Sequence, residues 1–242
     1  MKFILSPSKR QVASSDSFVL TQPHFLSEAD KVGRPMQKLS IKQLANRLAL
    51  SEKLSEEVHQ LWQAWEPTGK SPSLAMFQGD VYDGLDFESL TFEEQSRALD
   101  QSFIASAVYG ILRGSDGICP YRLDLNDKVK IGSSSLTAFW KKKKDDFNLD
   151  TELLVDLTSS EYTPLIPITK NIEVIRVDFK EEKAGMLKTV SFFSKKARGL
   201  YARWLIQSQL TDTEQLTSFK EEGYDFNESA SNDKLLVFSR KA

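Results

Sequence analysis

The sequence predicts a mixed α/β fold, a single mixed sheet surrounded by helices, on three observations. Short runs rich in β-branched and apolar residues are interspersed with segments of helical periodicity, without the regular βαβ alternation of a doubly wound sheet. No internal repeat, low-complexity tract or Gly/Ser linker divides the chain, which points to one domain over residues 1–242. With 242 residues, 40% hydrophobic and 27% charged, the chain can bury about 70–75% of its unfolded surface without help from disulfides or metals.

Taken in order, residues 2–6 read as a short buried strand stopped by Pro7. Residues 11–33 are polar and irregular, and read as a loop with a helical turn. A helical pair follows. Ser40 and Gln43 make a capping-box pattern ahead of Ile41, Leu44 and Leu48. Leu54, Val58, Leu61, Trp62 and Trp65 then recur at helical spacing until Pro67 and Gly69 end the segment. Residues 74–77 read as a second short strand leading into Gly79, Asp80 and Tyr82, and another helix starts at Thr91 with Glu94 completing its box. Residues 103–112 are apolar and fit strand or helix equally. Gly110, Gly114, Gly117 and Pro120 punctuate the loop that follows.

Residues 134–147 predict a helix with Leu136, Phe139 and Trp140 inward. Residues 153–157, 172–179, 188–192 and 235–239 read as strands. An amphipathic helix is expected over 194–209. A final helix is expected from Thr211, boxed with Glu214, to Gly223 as its C-cap.

Composition narrows the function. The 32 Lys and Arg against 34 Asp and Glu give a net charge of -2. Dedicated nucleic-acid proteins are usually basic, so any such binding must come from a local patch. Cys119 is the only cysteine, which excludes an internal disulfide. No apolar run approaches a signal peptide's core or the roughly 20 residues that span a bilayer, so a cytoplasmic location without membrane contact is expected.

Several familiar motifs fail. His24 and His59 lack ligand spacing, and Asp80, Asp83 and Asp86 match no calcium loop, so neither metal nor cofactor is expected. Gly79 and Gly84 have P-loop spacing but are followed by Leu85 and Asp86. Ser6-Pro7-Ser8-Lys9 fits Ser-x-x-Lys without the companion motifs of penicillin-recognising enzymes. Its plain reading is a turn at a strand end, from which Lys9 can project into a cleft at the strand's C-terminal edge.

Two features carry chemistry. Residues 109–124 form a glycine-punctuated loop with Tyr109, Arg113, Asp116, Tyr121, Arg122 and Asp124. Arginine presents a rigid fork for phosphate or carboxylate, and tyrosine a stacking face. The alternative is an internal pin in which Arg122 pairs with Asp116 or Asp124. The second feature is Lys195, Lys196, Arg198 and Arg203, four positive charges in nine residues with no acid among them, which suits an anionic partner or is a solvated face. Gly199 lies mid-helix beside them, where it costs about 1 kcal/mol relative to Ala. Close approach by a ligand or another backbone explains its presence. The run 141–144 is followed by Asp145 and Asp146 and reads as solvated surface.

Taken together and in order, these stretches resemble the YaaA family of peroxide-stress proteins. The resemblance rests on Ser6 to Lys9, Phe77 to Tyr82, Tyr109 to Arg113 with Asp116, Pro120 to Leu123, and Phe139-Trp140. It continues through Ser160 to Tyr162, Lys195 to Gly199, Gly223-Tyr224 and Val237 to Arg240. The resemblance implies a cytoplasmic bacterial protein that limits hydrogen peroxide damage, with lower available iron and less oxidised DNA. It also implies a single-domain α/β fold with a positively charged cleft, and DNA binding through a helix-hairpin-helix-like element. Two departures stand out: Gly114 where the family usually has Pro, and Asp124-Leu125 in place of Glu-Met.

The leading expectation is therefore a stress-response DNA-binding protein with sequence-tolerant binding and no stable protein partner. Lys9, Arg113, Arg122 and Lys195 would neutralise phosphates together with Lys196, Arg198 and Arg203, while Tyr82, Tyr109 or Tyr121 stack on unpaired bases. This requires Lys9, Arg122 and Lys196 to converge in one cleft. The alternative is an enzyme on a small anionic or nucleotide-like substrate, with Asp80, Asp124 or Glu161 as acid/base candidates and Lys9 and the arginines as clamps. A scaffold in which the motifs are structural pins is the third reading.

Overall fold

The apolar run that opens the chain becomes the middle strand of a sheet. The computed structural model describes residues 1–14, 18–169, 171–210 and 212–241. Strand β1 (Lys2–Leu5) buries Phe3, Ile4 and Leu5, as a strand covered on both faces must. It is flanked in parallel by β2 (Ser102–Ser106) and by β4 (Leu153–Leu157), with β3 (Gly110–Arg113) folded back antiparallel on β2. Next come β5 (Glu173–Lys183), β6 (Met186–Lys188), β7 (Asp225–Phe226) and β8 (Leu235–Lys241). The order is β7-β8-β5-β4-β1-β2-β3, with β6 antiparallel on the far end of β5. The sheet is mostly parallel, with antiparallel pairs at its margins.

The chain passes from β1 to β2 on one side and later returns to β4 on the other. The strand order thus reverses at β1, which leaves a crevice beyond the carboxyl ends of β1 and β4.

The described residues include eight α-helices: α1 (Leu26–Gln37), α2 (Ile41–Leu48), α3 (Glu52–Gln63), α4 (Ser73–Met76), α5 (Asp80–Leu85), α6 (Phe92–Gln101), α7 (Leu136–Lys141) and α8 (Ser191–Ser208). The capping boxes form as read: Ser40 with Gln43 opens α2, and Thr91 with Glu94 opens α6. Helices α5 and α8 cross backbone to backbone. A Cβ on Gly199 would lie 1.8 Å from the Val81 carbonyl oxygen, and one on Gly84 2.2 Å from that of Lys196. Gly199 therefore serves the approach of another backbone.

The structure differs from the sequence reading in several segments. The stretch read as loop to Gly33 contains α1, whose buried face is Ala29, Val32, Gly33 and Met36. Gly33 lies flush against the Trp65 ring, where a Cβ would come within 2.2 Å, so this glycine marks packing and not a break. Of residues 74–77, the first three lie in the single turn α4, and Phe77 opens the two-residue strand Phe77–Gln78 that pairs with Arg10–Gln11. Residues 103–112 are both strands of the β2–β3 hairpin.

The helix expected over 134–147 is confined to α7, followed by a 3-10 turn, Lys144–Asp146. No strand runs over 188–192, because β6 ends at Lys188 and α8 begins at Ser191. For the expected final helix, Thr211 lies outside the described residues, and Glu214 opens only a 3-10 turn, Glu214–Ser218. The Tyr201 hydroxyl donates to the Leu216 carbonyl at 2.8 Å, occupying an acceptor that a continuing helix would use.

Candidate functional site

The crevice at the carboxyl ends of β1 and β4 is a cavity of about 410 Å³. Ser6 to Lys9 enter from β1, Ser159, Glu161 and Tyr162 from the end of β4, Gly79 to Tyr82 from α5, Lys195 and Arg198 from α8, and Asp124 from the central loop. Hydrogen bonds fix this floor. The Ser6 hydroxyl accepts from the Ser159 N–H at 2.8 Å, and the Tyr82 hydroxyl donates to the Ser6 carbonyl at 2.9 Å. The Ser159 hydroxyl and the Asn126 amide both donate to Glu161, at 3.2 and 2.8 Å.

Each cation at the cavity has a carboxylate partner. Lys9 lies 3.4 Å from Asp124, Lys195 3.8 Å from Asp80, and Arg198 3.3 Å from Asp178. Asp124 also accepts from the Tyr162 hydroxyl at 2.9 Å. Burial, reinforced by the Asp124 carboxylate, pushes the Tyr162 phenol far up, so it remains a protonated donor.

Behind this rim lies a second charged layer. Arg176 reaches Asp156 at 3.7 Å and donates to the Thr163 hydroxyl at 2.8 Å. Asp156 is buried and accepts from the Thr158 N–H and hydroxyl at 2.8 and 2.6 Å. Burial raises the Asp156 carboxyl despite those donors and Arg176, and burial lowers the Arg198 guanidinium despite Asp178. Arg176, Asp178 and Asp156 escaped the sequence reading. The available signal was polar residues in strands: Asp156 interrupts an apolar run, and Arg176 and Asp178 alternate with Ile175, Val177 and Phe179.

Of the candidates named from sequence, Lys9, Asp80, Asp124, Glu161, Lys195 and Arg198 share the cavity. Arg122 is beside it, donating to the Lys9 carbonyl at 3.4 Å, a main-chain contact in place of the alternative pairing with Asp116 or Asp124. Lys196 instead pairs with Glu222, and its neighbour Lys195 takes the cavity side. Arg203 clamps α8 to α5, donating to the carbonyls of Leu85 and Asp86 at 3.0 and 2.9 Å.

Arg113 lies at the opposite edge of the sheet, paired with Phe103 near the start of β2. It sits over the Phe147 ring and is held by Asp116, which accepts its N–H at 2.8 Å. Tyr109 and Tyr121 are buried, and Tyr121 exchanges a 2.7 Å hydrogen bond with Ser106. Their rings are core, where the glycine loop suggested stacking platforms. Among the described residues, no three His, Cys, Asp or Glu side chains cluster as a metal site, and no helix is long and apolar enough to cross a membrane.

Comparison with known proteins gives the chain a family. The family model described as peroxide stress protein YaaA matches residues 1–230. A UPF0246 protein of Idiomarina loihiensis is 35% identical over 99% of this chain and 98% of its own length. The UPF0246 protein of Flavobacterium johnsoniae is 34% identical over 99% and 100%, and that of Saccharophagus degradans 34% identical over all of both chains. These relatives match over nearly the whole of both chains, and the chain belongs to the YaaA family of peroxide stress proteins.

Proposed function

We propose that this protein serves peroxide resistance in the cytoplasm by binding DNA, with the cavity at the β1–β4 edge receiving one unpaired nucleotide. The observation that carries this is a cavity of about 410 Å³ whose three cations are each countered by a carboxylate. A duplex groove needs an excess of positive charge along its length. A nucleotide-sized pocket needs cations for one phosphate and acceptors for the base's N–H groups, and Lys9, Lys195, Asp124 and Glu161 supply both. Flanking strand would lie along Arg122, while the exposed Lys42, Arg47 and Lys53 of the α2–α3 pair suit a helix-hairpin-helix-like backbone contact. Coverage of the strand would limit iron-dependent oxidation.

Fluorescence anisotropy with duplex, bubbled and single-stranded DNA across a salt series tests this. Bubbled and single-stranded DNA are expected to bind tighter than duplex, with log affinity falling linearly in log salt. No binding at low salt, or binding indifferent to salt, would contradict it. The charge balance also favours a second reading, an enzyme on a free nucleotide-like substrate with Asp80, Asp124 or Glu161 as acid and base. Binding of deoxynucleoside monophosphates without any binding of DNA would select that reading.

A further inference from the structure

Beside the first cavity lies a second, of about 330 Å³, which shares Ser159, Lys195 and Arg198 with it and adds Arg176, Asp178 and the start of α8. The charge balance differs here. Arg176, Lys195 and Arg198 line it, whereas Asp178 is the one carboxylate in the lining; the partners of Arg176 and Lys195, Asp156 and Asp80, lie outside it. The 18-residue helix α8 opens into this space with no side-chain cap at Val190 and no acidic residue in its first turn. Its first N–H groups and the positive end of its dipole therefore lack the partner that an Asp, Ser or Thr cap would supply.

Two buried donors are likewise unpartnered. The Ser194 hydroxyl and the Arg198 Nε have no hydrogen-bond partner, although Ser194 is 2% exposed and Arg198 8% exposed. Both residues line the cavity. An orphaned hydroxyl in a core costs about 1–3 kcal/mol, and such groups in native proteins are normally satisfied. Bare helix N–H groups, a buried hydroxyl and a guanidinium edge all lack the same thing, an acceptor, and the cationic lining favours one carrying negative charge.

We infer that this cavity is an oxyanion site for a phosphate dianion, either free phosphate or the terminal phosphomonoester of a nucleotide. Ser194 and the α8 N–H groups donate from one side. Arg198 and Arg176 donate from the sheet, and Lys195 closes the boundary with the first cavity. Asp178 holds Arg198 by one nitrogen at 3.3 Å and leaves its Nε for the ligand. The site is independent of DNA binding, because nothing in it requires a polynucleotide.

The test uses the whole chain without nucleic acid, titrated with inorganic phosphate against chloride at matched ionic strength. Thermal midpoint and phosphorus-31 line width are followed. Wild type is expected to gain stability and broaden the phosphate resonance. The Ser194→Ala variant should fold with a midpoint in chloride no lower than that of wild type, because the hydroxyl bonds nothing within the chain and its burial is unfavourable, and should bind phosphate about tenfold more weakly. Ser194→Thr, which keeps the hydroxyl, should retain phosphate binding if it folds. An equal phosphate response in wild type and Ser194→Ala, or no response beyond the chloride control, would overturn the assignment. Repeating the titration with a deoxynucleoside monophosphate and its unphosphorylated nucleoside separates the two sources. Tighter binding of the monophosphate than of phosphate assigns a nucleotide terminus, and equal affinities assign free phosphate. Failure of DNA binding leaves every one of these readouts intact.

Discussion

Replacing Gly199 by alanine is expected to destabilise the protein by about 3 kcal/mol, the upper part of the range for overpacking a close contact. In an ordinary helix interior the same change is favourable by about 1 kcal/mol, so the sign of the effect is itself diagnostic. The added Cβ would meet Val81 O at 1.8 Å, Leu85 N at 2.7 Å and Val81 C at 2.8 Å. All three are backbone atoms, which cannot rotate away as a side chain can. Relief requires α5 and α8 to separate, and those helices carry Asp80 and Tyr82 on one side and Lys195 and Arg198 on the other. Chemical denaturation should show a lower midpoint at an unchanged m-value, with ligand binding weakened in parallel. An alanine variant as stable as wild type would mean that the two backbones do not touch.

The double variant Lys9→Ala/Lys195→Ala is expected to reduce affinity for single-stranded DNA at least tenfold at low salt. Removing both ammonium groups unmasks Asp124 and Asp80, which then repel a phosphate from inside the cavity. If each lysine neutralises one phosphate, the slope of log affinity against log salt should fall by about 1.4. Stability should change by less than about 1 kcal/mol, since the two lysine side chains are 59% and 50% exposed and exposed ion pairs contribute little. Lys196→Ala serves as the control. Lys196 pairs with Glu222 away from the cavity, and its loss should leave the affinity within about twofold.

Much of the fold was readable because local chemistry determined it. The short, mainly apolar stretches at residues 2–6 and 153–157 became β1 and β4, buried strands of a parallel region, with Asp156 the one charged residue within β4. The capping boxes at Ser40 and Thr91 are decided within four residues and formed as expected. What was missed depends on distant partners. Residues 11–33 look irregular until Trp65 is packed against Gly33, and α1 then runs through Gly33 and on past Pro35.

The site divides in the same way. Lys9 follows from the rule that strand ends present ligand-binding side chains, and it lies at the cavity. Whether Lys195 or Lys196 faces inward is a rotation of about 100° on one helix. That rotation is set by the Gly84–Gly199 crossing, a pairing across more than a hundred residues that no local pattern encodes. Arg113 and Arg122 belong to the same glycine-punctuated stretch, yet β3 carries Arg113 to the opposite end of the sheet. Arg176, Asp178 and Asp156 became meaningful only when β4 and β5 were paired beside α8.

The most direct test of the nucleotide-binding cleft is hydrogen exchange followed by mass spectrometry, with and without saturating bubbled DNA. The account predicts slowed exchange in segments 6–10, 79–83, 158–163 and 191–198, which border the two cavities. Slowed exchange confined to the α2–α3 pair, with those four segments unchanged, would contradict it and move the nucleic-acid contact away from the β1–β4 edge.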